Sequence, residues 1–178
     1  MDRIQIKDKK FRLFISDEEI QAAVRKLAEG IKTDVRGKDV LFVCMLNGAF
    51  MFATELMKEI DASYPITFAR YSSYEGTAST GVLHEIMPVK EDLRGKTVYI
   101  LEDIIDTGFT MQCMKSMLLD KGAAEVKLVT MLFKPESLRC DLKPDYVGLE
   151  IAPAFIVGHG LDYDGEGRAF KDIYQVEE

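Results

Sequence analysis

The segment at residues 98–110, which reads VYILEDIIDTGFT, constrains the fold of this chain more than any other part of the sequence. Apolar residues lead directly into the adjacent acids Glu102 and Asp103, and a third acid, Asp106, precedes a turn of small residues. Apolar side chains at helical spacing then begin at once. They are Met111, Met114, Met117 and Leu118. The pattern predicts a strand, an acidic loop, a tight turn and a helix.

The chemistry of this segment suits a sugar phosphate. Adjacent carboxylates can accept hydrogen bonds from a vicinal diol such as that of a ribose. The backbone N–H groups of Thr107, Gly108 and Thr110 would gather at a helix N-terminus, which is a favourable place for a phosphate. In parallel α/β sheets, ligands bind beyond the carboxyl ends of the strands. The alternative is a solvated acidic loop followed by an ordinary strand-to-helix turn.

Strands and helices alternate along the rest of the chain. A capping-box pattern at residues 16–19 predicts a helix N-terminus, and apolar runs at 40–46 and 126–133 indicate buried parallel strands. Helical spacing predicts a helix over residues 49–60. Shorter strands are expected at residues 66–71, 82–87 and 146–150. This order predicts an α/β fold, a mostly parallel twisted sheet flanked by helices, in a single domain over residues 1–178.

Composition narrows the class of protein. The chain has 178 residues, 47% of them hydrophobic and 30% charged, as expected for a globular domain with a full core. No apolar run reaches the roughly 18–20 residues of a membrane span, so no membrane association is expected. Cys44, Cys113 and Cys140 show neither metal nor disulfide spacing, which suits a reducing cytoplasm. The net charge of −7 argues against nucleic-acid binding.

Residues 98–110 resemble the acid-acid-x-x-[DE]-T-G loop of the type I phosphoribosyltransferases, and the resemblance extends over nearly the whole chain from about residue 40. It implies that the 5-phosphoribosyl group of phosphoribosyl pyrophosphate is transferred to N9 of hypoxanthine or guanine, giving IMP or GMP and pyrophosphate. It also implies Mg²⁺ as cofactor and a homodimer or homotetramer. The N-terminal stretch and the last thirty or so residues would form a small hood beside the sheet.

The resemblance assigns the acidic segment to the sugar and its 5′-phosphate. Glu102 and Asp103 would hold the ribose hydroxyls. Asp106 would exchange a proton with purine N7; its alternative role is a helix N-cap, for which Asn substitutes with little loss. The residues implied for the phosphate form one run: Asp106, Thr107, Gly108, Phe109 and Thr110.

Purine recognition is implied at two later segments. Taken alone, Lys134 is more simply interpreted as a surface lysine before a proline, but the family parallel makes it the donor to the 6-oxygen of the base. Such a donor favours hypoxanthine or guanine over adenine. Phe155, which the apolar pattern alone places in the core, would stack on the purine. The backbone of Ile156 would read the base edge, and Asp162 would join the purine site and the Mg²⁺ shell.

The pyrophosphate loop of the family corresponds to Leu46, Asn47 and Gly48, with Arg168 meeting pyrophosphate oxygens. Family members often hold a non-proline cis peptide here, which would fall at Leu46–Asn47. An ordinary Asn-Gly turn fits the sequence equally well, and the sequence does not separate the two.

The family resemblance also implies a lid over the site and a metal site. Ser73 and Tyr74 match the Ser-Tyr pair of the family's lid, which would exclude water from a ribosyl cation. A long hairpin loop is the alternative for this polar segment. The implied Mg²⁺ ligands are Glu102, Asp103 and Asp162.

Two other functions stay open on the sequence. One is a nucleotide-sensing regulator with this fold and no catalysis, and the other is a transferase that prefers xanthine. The acidic charge and Lys134 favour the enzyme over the regulator. Three positions depart from the family pattern and bear on pyrophosphate handling: Asn47, Phe109 and Leu138.

Overall fold

The computed structural model describes residues 2–73 and 83–177. Within these ranges the chain forms two sheets, three α-helices and a short 3₁₀ turn at Pro135–Ser137. The helices are α1 (Asp17–Asp34), α2 (Phe50–Ile60) and α3 (Phe109–Asp120). The strands are β1 (Arg3–Ile6), β2 (Lys9–Ile15), β3 (Val40–Met45), β4 (Ile66–Ser73), β5 (Leu83–Met87), β6 (Thr97–Ile105), β7 (Glu125–Phe133), β8 (Tyr146–Glu150), β9 (Ile156–Val157) and β10 (Ile173–Val176).

The larger sheet has six strands in the order β5-β4-β3-β6-β7-β8. Every neighbouring pair is parallel except β4 and β5, which form an antiparallel edge. All six residues of β3 are buried, as expected for a central parallel strand covered on both faces. The predicted α/β fold with a mostly parallel sheet is confirmed.

The helices pack through apolar stripes that the sequence spacing anticipates. The Glu19 N–H donates to Ser16 Oγ, and Glu19 Oε2 accepts from the Ser16 N–H at 2.9 Å, so the predicted capping box starts α1. Met111, Met114 and Leu118 are the buried face of α3, which contacts β7. None of the helices in the described ranges is long and apolar enough to cross a membrane.

The hood is a separate antiparallel sheet in the order β1-β2-β10-β9. It joins the N-terminal hairpin to the C-terminal segment, as expected from the family resemblance. Its own small core is formed by five buried side chains: Ile4, Ile6, Phe11, Val157 and Tyr174. The hood therefore places the residues around Phe155 beside the main sheet as part of a packed unit.

The predicted loop at Glu102 and Asp103 is wrong, because β6 continues through both acids to Ile105. Its pairing with β7 runs on to Ile105 opposite Phe133, and the Lys134 N–H donates to the Ile105 carbonyl at 3.0 Å. These backbone bonds with a neighbouring strand outweigh the low strand propensity of the acids. Both carboxylates therefore stand on the ordered end of a strand.

Candidate active site

A cavity of about 180 Å³ opens where β6 ends and α3 begins. The N-cap of α3 is Gly108, whose φ of +86° needs a residue without a Cβ, and no described side chain caps this end. The free N–H groups of the first turn therefore face a site that can take an anion. The N-cap alternative for Asp106 is wrong. The cavity is lined by Glu102, Ile104, Ile105, Asp106, Thr107, Gly108, Thr110 and Met111.

Each carboxylate of the acid pair accepts a hydrogen bond from the N–H of the next residue. Glu102 Oε1 accepts from the Asp103 N–H at 3.0 Å, and Asp103 Oδ1 accepts from the Ile104 N–H at 2.8 Å. Burial raises the pKa of Glu102 well above its ordinary value, and the charge and hydrogen bond of Asp103 add to the shift. Two carboxylates placed in this way favour a partner that brings hydroxyl donors or a cation.

The turn at residues 46–49 lies directly against the acid pair. A Cβ added to Gly48 would fall 1.6 Å from Asp103 Oδ2, so only glycine allows the backbone and the carboxylate to approach this closely. The Leu46–Asn47 peptide bond is cis, and residues 46–49 also form a turn. The structure therefore has both features between which the sequence left the choice open. It brings the predicted pyrophosphate loop beside one of the predicted ribose-binding acids.

Asp106 and Lys134 form an ion pair, with Lys134 Nζ 2.8 Å from Asp106 Oδ2. The Lys134 side chain is only 11% exposed, whereas that of Asp106 is 48% exposed. The interpretation of Lys134 as a surface lysine is therefore wrong. A buried ammonium needs a charged or hydrogen-bonding partner, and here the carboxylate at the mouth of the cavity provides it.

Phe155 is exposed over 46% of its surface, so the expectation of a core phenylalanine is wrong. Its ring meets Tyr163 edge-on at a centroid distance of 5.7 Å and lies 6.2 Å from Phe11. Aromatic neighbours at these distances fix the ring while leaving a face open.

The backbone of Ile156 lies on an open strand edge. The Val176 N–H donates to the Phe155 carbonyl at 3.0 Å, and Ile156 is opposite Gln175 in the register. This places Ile156 at a non-hydrogen-bonded position of the β9–β10 ladder, so its own N–H and C=O point away from β10. Since β9 is the last strand of its sheet, these two groups face the open edge and can read a ligand.

The loop between β9 and β10 docks on the turn at residues 46–49. A Cβ on Gly160 would lie 1.9 Å from the Gly48 carbonyl oxygen, so these two glycines are in close backbone contact. Arg168 Nη1 donates to the Gly160 carbonyl at 2.7 Å, and Arg168 Nη2 pairs with Asp162 Oδ1 at 2.7 Å. Arg168 and Asp162 are thus fixed on the hood side of the same turn.

The three predicted Mg²⁺ ligands are not gathered into a ready-made cage. Among residues 2–73 and 83–177, no three His, Cys, Asp or Glu side chains converge as metal ligands. Asp162 accepts from the Gly165 N–H at 2.8 Å in addition to its pair with Arg168. However, Mg²⁺ is usually bound through one or two carboxylates together with substrate phosphates and waters. The Glu102–Asp103 pair fits that donor set.

Two residues of the site region, Glu55 and His159, were not predicted from the sequence. His159 is buried, and its Nε2 lies 2.8 Å from Glu55 Oε2 on α2. The flanking glycines, Gly158 and Gly160, were a usable signal of an unusual backbone there, but nothing in the sequence points from them to α2. Of the predicted lid residues, Ser73 ends β4, and Tyr74 lies outside the described residues.

An acid pair, a helix N-terminus without a side-chain cap and a glycine turn lie together at the end of a parallel sheet. This arrangement is typical of a transferase that binds a sugar phosphate. The profile of the phosphoribosyl transferase domain matches residues 16–164, so the chain belongs to the phosphoribosyltransferase family.

Similar proteins in this family include several hypoxanthine-guanine phosphoribosyltransferases. The chain is 39% identical over 153 residues to the hypoxanthine-guanine phosphoribosyltransferase of Streptococcus pneumoniae, an alignment that covers 85% of each protein. It is 34% identical over 176 residues to the hypoxanthine-guanine phosphoribosyltransferase of Aquifex aeolicus, covering 98% of this chain and 99% of the relative. A crystal structure of a Staphylococcus aureus hypoxanthine phosphoribosyltransferase superposes with a TM-score of 0.89 at 34% identity, covering 93% and 91% of the two chains.

Proposed function

We propose that this protein is a purine-salvage enzyme that transfers the 5-phosphoribosyl group of phosphoribosyl pyrophosphate to N9 of hypoxanthine or guanine. The products are IMP or GMP and pyrophosphate. The family membership supports the reaction class, and the names of the similar proteins support the two bases. The observation that carries the choice of base is the buried Lys134 ammonium, which lies 2.8 Å from Asp106, a residue that lines the cavity.

The donor sugar is bound by the end of β6 and the start of α3. Glu102 and Asp103 accept hydrogen bonds from the ribose hydroxyls, which relieves the mutual repulsion of the two acids. The N–H groups of the first turn of α3 hold the 5′-phosphate, helped by the positive end of the helix dipole. The proposed phosphate site also includes the backbone of the run 106–110, which leads into this turn: Asp106, Thr107, Gly108, Phe109 and Thr110.

The base is selected by residues of two segments, one directly after β7 and one at the start of β9. Lys134 donates to the 6-oxygen, Phe155 stacks on the purine face, and the Ile156 backbone reads the base edge. Asp106 accepts the N7 proton as the N9–C1′ bond forms and returns it in the reverse direction. A well-placed general base of this kind contributes roughly 10²–10⁴-fold to the rate. Adenine, which carries an amino group at position 6, would leave the Lys134 donor unpaired.

Pyrophosphate leaves on the side of the turn at residues 46–49. Leu46, Asn47 and Gly48 supply backbone groups, and Arg168 supplies a guanidinium. Glu102 and Asp103 would hold Mg²⁺, and Asp162 on the hood is the third proposed ligand. When bound, this ion neutralises phosphate oxygens as the bond to the ribose breaks. The chain's own residues orient the donor so that the base approaches C1′ from the side opposite the leaving group.

Ser73 and Tyr74 belong to the proposed lid, which keeps water from the ribosyl cation.

We also propose that residues 1–178 act as one domain, that the protein works in the cytoplasm, and that it assembles as a homodimer or homotetramer. The exposed Phe50 on α2 and the exposed Phe68, which lines a surface depression together with Met57 of α2, support self-association. Sedimentation that shows only a 20.1 kDa species at working concentration would contradict the oligomer.

The decisive experiment is a product assay with phosphoribosyl pyrophosphate, Mg²⁺ and each nucleobase in turn. We expect IMP and GMP to form at rates well above that of AMP, because only the 6-oxopurines accept from Lys134. Xanthine is tested in the same series. Tight binding of the donor without any nucleotide product would contradict the proposal and favour a nucleotide-sensing regulator.

A further inference from the structure

A largely buried hydrogen bond joins the helix that follows the turn at residues 46–49 to the hood. His159 Nε2 and Glu55 Oε2 are 2.8 Å apart, and the two side chains are 2% and 23% exposed. An ionised carboxylate can only accept, so Nε2 carries the proton in this bond. Glu55 lies in the second turn of α2, whereas His159 is in the loop after β9.

The loop around His159 has an unusual backbone. Gly158, His159 and Gly160 all have positive φ, at +102°, +47° and +98°. A side chain on Gly158 would meet the Asp172 carbonyl oxygen at 2.1 Å. The His159 N–H donates to the Phe170 carbonyl at 2.7 Å, which holds the bend in place. A non-glycine residue in this region of φ/ψ space is uncommon, and surrounding structure must hold it there.

The bend leads directly to the groups that face the proposed pyrophosphate site. Gly160 contacts the carbonyl of Gly48, and Arg168 donates to the carbonyl of Gly160. Arg168 also pairs with Asp162. Glu55 is on the helix that begins directly after the Gly48 turn. The His159–Glu55 bond and the Gly160–Gly48 contact therefore join the same two segments at two points.

We propose that Glu55 and His159 are positioning residues, which hold the Gly48 turn and Arg168 at the spacing that the pyrophosphate end of the donor requires. This inference rests on the proposed function. The bond acts through Gly160 and Arg168 and touches no substrate itself. Its loss would let α2 and the hood loop move apart, which weakens donor binding. Lys134 and Asp106 are attached to β7 and β6, so base recognition by these two residues depends less on this bond.

The test compares Glu55→Ala, Glu55→Gln and the control Glu59→Ala, which removes a carboxylate one turn further along α2. We expect Glu55→Ala to raise the KM for phosphoribosyl pyrophosphate by about tenfold or more, because small displacements of positioning groups have large effects. The KM for hypoxanthine should change by less than about twofold. Glu55→Gln should stay near the parent, because its amide oxygen can still accept from Nε2–H. Glu59→Ala should match the parent.

Melting temperatures and the affinity for the donor without base are measured for each variant. An unchanged donor KM in Glu55→Ala, or an equal rise in both KM values, would overturn the proposal. So would a Glu55→Gln variant as impaired as Glu55→Ala. If Glu55→Ala does not fold, His159→Asn decides by the same comparison of KM values, because Asn tolerates positive φ but is shorter. A parent protein that forms no nucleotide would instead contradict the proposed function.

Discussion

Lys134 Nζ lies 2.8 Å from Asp106 Oδ2 because two parallel strands end side by side. Ile105 pairs with Phe133 in the β6–β7 register, so the next residue of each strand is one of the two ionic partners. In the unliganded chain each charge satisfies the other. A 6-oxopurine has an acceptor at O6 and a proton at N7. In the proposed reaction, the base can therefore accept a hydrogen bond from Lys134 through O6 and donate one to Asp106 through N7–H.

Replacing Lys134 with Ala should weaken the use of hypoxanthine by about 2 kcal/mol in transition-state stabilisation, since a charge-assisted hydrogen bond to O6 is lost. This corresponds to a decrease of roughly 30-fold in kcat/KM for hypoxanthine. Steady-state kinetics with saturating donor measure it. The matched control is Lys143→Ala, which removes an exposed lysine that also precedes a proline. Equal kinetics for the parent and the Lys134 variant would remove Lys134 from the base site.

Removal of Mg²⁺ should abolish turnover. The phosphate charges of the leaving group must be neutralised as the bond to the ribose breaks, and Glu102 and Asp103 are acids that would otherwise repel the donor. Rates are measured in excess chelator and again after Mg²⁺ is restored. Full turnover in the chelator would contradict metal dependence, and a rate that does not return would indicate damage to the protein.

The sequence predicted the sheet well because buried parallel strands have a strong local signal. The apolar runs at 40–46 and 126–133 became β3 and β7 with boundaries shifted by one residue. The predicted end of β6 was wrong. Acidic residues rarely favour a strand, and it is the pairing with β7 that keeps Glu102 and Asp103 extended. Pairing with a strand that is distant in sequence cannot be recognised from the local sequence.

Without the family resemblance, the candidate site could be predicted only where its residues are close in sequence. The run 102–110 could be recognised, whereas the contact of Gly48 with Gly160 joins segments 112 positions apart. The bond between Glu55 and His159 depends on the same distant docking. The burial of Lys134 and the exposure of Phe155 were also missed by pattern alone, because each reverses the usual tendency of its residue type.

Asp34 should make the stability of the protein depend on pH between about 4 and 2. Burial alone would raise its pKa, but hydrogen bonds from Lys38, Tyr99 and Tyr146 lower it from 3.8 to about 2. Because the folded pKa lies below the unfolded one, the stabilisation is present above pH 4 and is lost as pH falls toward 2. The linkage corresponds to about 2 kcal/mol at neutral pH.

Urea unfolding of the parent and of Asp34→Asn measures this effect. The variant should be less stable at pH 7, and the difference should narrow as the pH is lowered to 3. Asp39→Asn is the control, because Asp39 is 63% exposed in its pair with Lys96 and such surface pairs contribute little. A difference between parent and Asp34→Asn that stays constant over this range would contradict the linkage.

Replacing Gly48 with Ala should lower activity while leaving the fold largely intact. The new Cβ would meet the Asp103 carboxylate at 1.6 Å, and the far end of that side chain can rotate away. Gly48 is not at positive φ, so the substitution adds no backbone strain of that kind. We expect kcat/KM for the donor to fall by about tenfold or more, since a displaced Asp103 loses its position toward the ribose. A variant with parental kinetics and melting temperature would show that the close approach has no role in catalysis.

Asp106→Asn tests the proposed general base. The N-cap of α3 is Gly108, so loss of the Asp106 charge removes no cap, and Asn can still accept a hydrogen bond from Lys134. Stability and donor affinity should therefore change little. An amide cannot accept the N7 proton, so kcat should fall by about two orders of magnitude or more.

Asp120→Asn, at the exposed opposite end of α3, is the matched control for the same chemical change. Donor affinity is measured by calorimetry without base, and kcat is measured with saturating hypoxanthine and donor. The control should keep the parental value in both measurements. If Asp106→Asn folds, binds the donor and turns over at the parental rate, Asp106 serves only to neutralise Lys134, and the proton on N7 must leave by another route.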